Sequence, residues 1–212
     1  MQLLSSLAGP GSVCVDVGAN KGTWTEKMRQ VVGKTGRVLS IEPQRELSEY
    51  LQIGFKRRKN VEVHDCAVSV KNGIRELRVP LEDGRAVRGH ATFGPTPPDA
   101  IMEKVRVATL DELVGDRRPE FVKIDVEGHE LEVIEGSLRV IADCLPAMVV
   151  EMKPAGLEST TAQCFRLLVD SYGYQAGFVS NRGIVRLTKW PTWDERPSPN
   201  IVFAQVLPKT SL

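Results

Sequence analysis

The sequence predicts an α/β protein built on a mostly parallel sheet with helices on both faces. Three observations carry that expectation. Apolar runs rich in Val and Ile alternate with segments of helical spacing, the rhythm of parallel strands joined by crossover helices. The run Val15-Asp16-Val17-Gly18-Ala19-Asn20-Lys21-Gly22 sets a glycine-bearing turn between a strand and a helix, where such sheets gather ligands. The length, 212 residues with 42% hydrophobic and 26% charged side chains, suits one compact domain spanning 1–212.

Each element follows from local pattern. Ser12–Val17 reads as a buried first strand ended by Gly18, and Gly22 to Val32 carries Trp24, Met28, Val31 and Val32 at helical spacing. Gly33 and Gly36 stop that helix, and Arg37–Glu42 forms the second strand. A helix follows Pro43, and Val61–Asp65 is a shorter third strand. Ala67–Val70 and Ile74–Val79 flank Lys71-Asn72-Gly73, so the Asn-Gly pair predicts an inserted β-hairpin. Residues 81–103 show no period and read as a long irregular loop; loops of that length are usually functional or disordered, and this one is expected to be a substrate lid, with His90, Thr92 and Phe93 upon it.

Regular pattern then resumes. Lys104–Val107 reads as a strand, and Thr109 to Glu112 has capping-box spacing for a short helix. Phe121–Asp125 is a fourth core strand followed by a helix over Glu130–Ile141, and Ala147–Glu151 is a fifth strand. A helix over Ser159–Tyr172 and strands at Tyr174–Val179, Gly183–Leu187 and Asn200–Val206 close the chain.

Composition excludes several classes. With 28 Lys+Arg against 27 Asp+Glu, the net charge of +1 gives no electrostatic footprint for nucleic acid. Lys56-Arg57-Arg58-Lys59 reads as a solvated helix end. No apolar run is long enough for a membrane span, and Met1–Pro10 lacks the basic start of a signal peptide. Cys14, Cys66, Cys144 and Cys164 lie far apart without metal-ligand spacing, so a reduced, cytoplasmic protein is expected.

The chemistry concentrates in two turns. In the first, Gly18 and Gly22 let backbone approach a bound molecule without an intervening Cβ. Glu42 ends the next strand, where a carboxylate can accept both hydroxyls of a ribose. A dinucleotide fingerprint would need G-x-G-x-x-G and a site hospitable to pyrophosphate. Here the spacing is G-x-x-x-G, and Asp16 stands where it would repel a pyrophosphate. An acid there suits a ligand carrying an ammonium and a sulfonium, S-adenosylmethionine, ahead of NAD. Asp65, Cys66 and Ala67 close the third strand, where the acid can accept from an adenine amine and the alanine leaves room for the ring.

The second turn is Lys123-Ile124-Asp125-Val126-Glu127-Gly128-His129-Glu130. A side-chain period of two points Lys123 and Asp125 to one face, and a lysine inside an apolar strand is hard to explain as packing.

These two segments, with Ile41-Glu42-Pro43, Thr109–Leu113, Val149-Val150-Glu151 and Asn200–Phe203, resemble the FkbM family of methyltransferases, within the class I S-adenosylmethionine-dependent superfamily. The resemblance implies a Rossmann-like, seven-stranded sheet whose last strand runs antiparallel. It implies cofactor contacts at Asp16, Gly18, Asn20, Gly22, Glu42, Asp65, Ala67 and Asp125, and the neighbouring Ala19, Pro43 and Cys66 join them in the same turns. It further implies O-methylation of a hydroxyl on a sugar, polyketide or other small metabolite. Two departures stand out. About a dozen residues precede the first strand, where many members carry extra helices, and His129 occupies a position where a small residue is common.

A hydroxyl acceptor needs a base to take its proton. Asp125, Glu127 and His129 are the candidates, Asp125 first, with Lys123 tuning it or orienting the acceptor. Asp125 and Glu151 end adjacent strands, yet a structural role is expected for Glu151 and no metal. Two other readings stay open: a binding module for the methyl donor without activity, and an NAD-linked reductase. Methylation of an RNA 2′-hydroxyl is disfavoured by the neutral charge. The acceptor is expected to be a small molecule or glycan.

Overall fold

The Val- and Ile-rich runs become the middle of a sheet covered on both faces. The structure is a computed structural model describing residues 2–95, 98–152, 159–180, 183–190 and 200–208. In chain order its first half comprises α1 (Gln2–Leu7), β1 (Val13–Val17), α2 (Thr23–Val32), β2 (Arg37–Ile41), α3 (Arg45–Phe55), β3 (Val61–His64), β4 (Ala67–Val68), β5 (Gly73–Glu82) and β6 (Arg85–Ala86). A 3₁₀ turn (Arg88–His90) leads to β7 (Ala100–Ala108), α4 (Leu110–Val114), β8 (Phe121–Ile124), α5 (Glu130–Glu135) and α6 (Leu138–Cys144). Then come β9 (Ala147–Glu151), α7 (Thr160–Arg166), β10 (Gln175–Ser180), β11 (Gly183–Leu187) and β12 (Asn200–Ala204).

The main sheet runs β11-β10-β12-β9-β8-β1-β2-β3. The pairs from β9 to β3 are parallel, while β12 is antiparallel to both β9 and β10. Seven of these strands match the expected order of a sheet with its last strand inserted antiparallel. The eighth is β11, which folds back on β10 as an antiparallel edge. Successive residues of β1 serve opposite faces. Val15 and Val17 join a core with Ile41, Ile124, Val133, Ile141 and Phe203. Cys14 joins Met28, Val32, Val38, Phe121 and Leu4 on the other side. With both faces covered, the central strands read as unbroken apolar runs rather than alternating ones.

The middle of the chain departs from expectation. Residues 67–79 are not a hairpin: β7 lies between the two segments, parallel to β4 and antiparallel to β5, in a second sheet of order β4-β7-β5-β6. Asn72 does not turn the chain but caps α4, accepting from the Thr109 N–H at 3.0 Å and donating to the Glu112 carboxylate. Thr109 Oγ1 accepts from the Glu112 N–H at 3.2 Å, as the capping-box spacing predicts. Nor is 81–103 an irregular loop throughout, since β5, β6 and β7 absorb both of its ends.

The helix expected over Glu130–Ile141 breaks at Gly136-Ser137. A Cβ on Gly136 would stand 2.2 Å from the Ser69 carbonyl oxygen, so the chain passes there only as glycine. The Asp111 carboxylate then accepts from Arg139 N and Val140 N at 3.0 and 2.9 Å, capping α6 from another element. All four cysteines are free, and Cys14, Cys66 and Cys164 are buried. Among the described residues no helix is long and apolar enough to cross a membrane.

Candidate active site

Parallel order brings the carboxyl ends of β1, β2, β8 and β9 to one edge, and the turns leaving them build the site. After β1 the chain bends so tightly that Gly18, at φ +78°, lies against the end of β8. A Cβ there would sit 2.0 Å from the Asp125 carbonyl oxygen. The N–H groups of Gly18 and Ala19 both donate to Ile41 O at 3.0 Å. Asn20 follows at φ +49°, a left-handed conformation that asparagine tolerates. Its N–H donates to Glu42 Oε2 at 2.8 Å, while the Gln44 N–H donates to Oε1 at 3.0 Å. Glu42 thereby ties the first turn to the second strand from a buried position. Burial pushes its carboxyl up to about 7, against the two N–H donors that favour its charge.

Asp16 is buried beneath this turn. Its Oδ2 accepts from Thr25 Oγ1 at 2.6 Å, and that hydroxyl lies 2.9 Å from Ser40 Oγ. Burial pushes Asp16 up to about 6, with the Thr25 hydrogen bond and the Lys123 charge acting the other way. The second glycine packs two helices together. Gly22 caps α2 at φ +78°, and a Cβ on it would meet Leu51 Cδ2 at 2.7 Å and Phe55 Cε2 at 3.0 Å. It packs between α2 and α3 and is not among the described residues lining the two cavities.

At the end of β8, Lys123 is 1% exposed and its Nζ stands 3.1 Å from Asp125 Oδ2 and 3.2 Å from Ile124 O. The same ammonium lies 6.0 Å from the centre of the Trp24 ring. Lys123 therefore supports Asp125 from below without lining the cavity. Glu127 adopts φ +44°, and its carbonyl accepts from Thr92 Oγ1 at 2.7 Å. Glu130 opens α5 as a buried residue, its Oε1 accepting from the Gly128 N–H at 2.9 Å.

His129 is brought to the site but both ring nitrogens face protein groups. Nε2 lies 3.2 Å from Ser69 Oγ and 3.3 Å from the Arg75 guanidinium, and Nδ1 lies 3.4 Å from Glu132. Burial pushes the ring below the usual imidazole range, with the Arg75 charge acting the same way and the Glu132 charge opposing it. Its face packs against Phe93 at 4.8 Å between centres, and Arg75 covers the same Phe93 ring at 4.4 Å.

Two cavities meet at Gly18, Asn20 and Asp125, the larger holding about 860 Å³ of space between protein atoms and the smaller about 540 Å³. Glu42, Pro43, Cys66 and Ala67 line one side of the larger, with Glu127, His129 and Glu151 on another. Asp16, Ala19, Lys21, Thr23 and Trp24 line the smaller. Of the residues expected from sequence, Gly22, Asp65 and Lys123 line neither cavity; Asp65 follows β3 but is exposed, and Cys66 and Ala67 after it face the larger one.

The roof of the larger cavity carries residues that sequence did not single out as functional. Arg88 donates to Glu103 at 3.1 Å, to Gln44 Oε1 at 3.3 Å and to Glu46, while Gln44 Nε2 donates to the Arg88 carbonyl at 2.9 Å. Thr92 pairs its backbone with Arg78, each N–H donating to the other carbonyl at 2.9 Å. No local pattern marks Gln44 or Arg88, because each is selected by a partner more than a dozen residues away. His90, on the same segment, is exposed. Among the described residues no group of three or more His, Cys, Asp or Glu is placed to hold a metal ion.

The family described as the methyltransferase FkbM domain matches residues 16–176. Among solved structures, a methyltransferase FkbM from Methylobacillus flagellatus superposes with a TM-score of 0.58 at 22% identity. The match covers 91% of this chain but 43% of that one, so the chain spans less than half of that protein. Fibrillarin from Aeropyrum pernix, solved with natively bound S-adenosyl-L-methionine, gives 0.53 at 11% identity over 92% of this chain and 67% of that one. A putative rRNA methylase from Clostridium thermocellum gives 0.51 at 10% identity over 95% and 89%. At these identities the likeness is one of fold. No sequence among the curated proteins matches the chain.

Proposed function

The chain belongs to the FkbM methyltransferase family, and we propose that it uses S-adenosyl-L-methionine to methylate a hydroxyl oxygen of a sugar, polyketide or other small metabolite. The observation that carries this reading is the convergence of Asp16, Glu42 and Asp125 on the two joined cavities, with no free cation among the described residues of the larger one. Arg88 is held by Glu46 and Glu103, and Lys123 by Asp125. A pyrophosphate would find only like charge there, whereas a sulfonium finds opposite charge.

The residues fit the methyl donor on both sides of the junction. The smaller cavity offers both signs, Asp16 for an ammonium and Lys21 with the N-terminal turn of α2 for a carboxylate, which matches an amino-acid tail. The larger offers Glu42 for a pair of ribose hydroxyls and the Pro43, Cys66 and Ala67 wall for a flat base. When bound, S-adenosylmethionine supplies an electrophilic methyl group.

The protein's own part is to orient the acceptor and remove its proton. Asp125 stands at the junction of the cavities, where its carboxylate accepts the hydroxyl proton, and Lys123 steadies its charge from below. Glu127 lines the acceptor side through its carboxylate and seats the lid through its carbonyl. His129, its Nε2 beside Ser69 and Arg75, packs on Phe93 and positions that part of the lid. A net charge of +1 and the carboxylates Glu42, Asp125, Glu127 and Glu151 around the larger cavity favour a small-molecule or glycan acceptor over a nucleic-acid backbone.

Calorimetry with S-adenosylmethionine and with NADH tests the cofactor: heat is expected with the first alone, and tight NADH binding without it would overturn the reading. Transfer of a labelled methyl group from S-adenosylmethionine into metabolite extracts separates an enzyme from an inactive binding module. Label in an O-methyl product is expected, lost in Asp125→Asn.

A further inference from the structure

Arg75 has no part in the function argued above, yet it meets three groups beside the larger cavity. Strand β5 sets Arg75 and Leu77 on one face, and Leu77 lines that cavity. The Arg75 guanidinium covers the Phe93 ring at 4.4 Å, and its Nη1 stands 3.3 Å from His129 Nε2 and 3.4 Å from Ser69 Oγ. His129 packs on the same ring at 4.8 Å, and Phe93 and His129 both line the cavity.

The chemistry of these partners leaves His129 one protonation state. A guanidinium has N–H donors and no acceptor, so Nε2 presents its lone pair to Arg75. Nδ1 faces the Glu132 carboxylate at 3.4 Å, and Glu132 Oε2 is buried with no other hydrogen-bond partner among the described residues. A carboxylate only accepts, so the ring hydrogen belongs on Nδ1. Ser69 Oγ, 3.2 Å from Nε2, suits this arrangement, since its hydroxyl can donate to Nε2 or accept from Arg75. A donor on one nitrogen and an acceptor on the other thus select the neutral ring in one tautomer.

We propose that Arg75 is a positioning residue that latches Phe93 into the cavity wall through His129, and that protonation of His129 releases the latch. An imidazolium carries hydrogen on both nitrogens, so Nε2 would turn a donor and a positive charge toward a guanidinium 3.3 Å away. That contact then breaks, and Phe93 loses the guanidinium over its face. Arg75 is exposed, so it is the partner free to swing into water. Burial and the Arg75 charge hold the ring below the usual imidazole range, with Glu132 opposing them. Opening relieves the first two, so falling pH favours the open lid.

The other charged groups near the ring do not reverse that sign. Glu42, Asp125, Glu127 and Glu151 share the cavity with His129 and favour the charged ring, but all leave the main sheet as His129 does and act with the lid open or closed. Glu130 is turned to the Gly128 N–H, Arg88 is held by Glu46 and Glu103, and Arg78 donates to Gly94 O at 3.0 Å from the other face of β5. What passes the opened wall rests on the function proposed above; the latch itself does not.

The experiment follows ¹⁵N-labelled His129 by NMR across pH in the intact protein. In parallel, limited proteolysis between residues 84 and 95 is compared at about pH 7.5 and about pH 5.5, either side of the ordinary imidazole value, each rate normalised to the unfolded chain. The neutral ring is expected to carry its hydrogen on Nδ1 and to titrate below the ordinary range, rising toward it in Arg75→Met. Cleavage of the parent is expected to accelerate about fivefold or more at the lower pH. It should be fast at both values in Arg75→Met. It should be slow at both in His129→Gln, whose amide oxygen still accepts from Arg75 and takes up no proton. His90 lies on the same segment, so the readout is the part of the acceleration that His129→Gln removes. Hydrogen on Nε2 of the neutral ring overturns the inference on the parent protein alone. So does parent cleavage that ignores pH, or a His129 titration that Arg75→Met leaves in place. If S-adenosylmethionine fails to bind while the tautomer and the pH-dependent cleavage are as expected, the proposed function fails and the latch stands.

Discussion

The turn after β1 and the segment 88–93, the lid we propose over the larger cavity, face the same space but are held by different means. Backbone fixes the turn: Gly18 lies against the Asp125 carbonyl, and the N–H groups of Gly18, Ala19 and Asn20 all donate to fixed acceptors. The lid is fixed mainly through side chains, with Arg88, Thr92 and Phe93 reaching to Gln44, Glu127 and His129. A backbone contact leaves no rotamer to yield, whereas a side-chain contact can be given up singly. The turn should therefore be intolerant and the lid adjustable. Gly18→Ala is the harshest test, because its Cβ would stand 2.0 Å from a backbone oxygen and φ is +78°. The ends of β1 and β8 would have to separate, at an expected cost of about 4 kcal/mol or more in thermal or urea unfolding. A loss under about 1 kcal/mol would show that the turn is no more rigid than the lid.

The next largest effect comes from charge within the rigid turn. Glu42 rises from an ordinary 4.5 to about 7 and Asp16 from 3.8 to about 6, both chiefly through burial. An acid whose folded pKa is raised binds more protons folded than unfolded, so its contribution is full below the unfolded pKa. That contribution is lost as pH rises through the folded value. The stability of the ligand-free protein relative to Glu42→Gln should thus fall between about pH 4.5 and 7.5, by roughly 3 kcal/mol at most. Affinity for S-adenosylmethionine should rise over the same window, since ionised carboxylates attract the cation. Parallel movement of the two would show that Glu42 is not what sets the turn's charge.

The same division explains what was legible in the sequence. Val15–Gly22, Glu42 and Lys123–Glu130 are short contiguous runs whose residue types declare a strand end, a turn and a buried charge. They assemble as expected because parallel order brings strand ends together. Gly22 was legible as a turn glycine but not as a packing one, since Leu51 and Phe55 meet it only in three dimensions. Asp65 ends a strand like Glu42 does, yet lies at the exposed edge, where the same pattern no longer implies a site. The Asn72-Gly73 signal pointed to a hairpin because the distant strand β7 leaves no local trace. Arg88 and Gln44 escaped notice for the same reason.

Arg88 gives the mildest and most diagnostic perturbation. Its guanidinium is partly exposed and spreads over Gln44, Glu46 and Glu103, while the Gln44 amide also holds the Arg88 carbonyl. Arg88→Ala leaves that last bond and frees partners that water can reach, so the expected loss is about 1 kcal/mol, well below that of Gly18→Ala. Its effect should appear locally instead. Limited proteolysis between residues 84 and 95 should accelerate about five- to tenfold, because local opening follows the free energy holding that segment. Gly89→Ala beside it provides the control: its Cβ would meet only Asn20 Nδ2, at 4.0 Å, and its φ is not left-handed. That variant should stay within about 0.5 kcal/mol of the parent with unchanged cleavage. Should Arg88→Ala instead unfold the protein globally with no local acceleration, the lid would belong to the same rigid unit as the turn, and the contrast between them would dissolve.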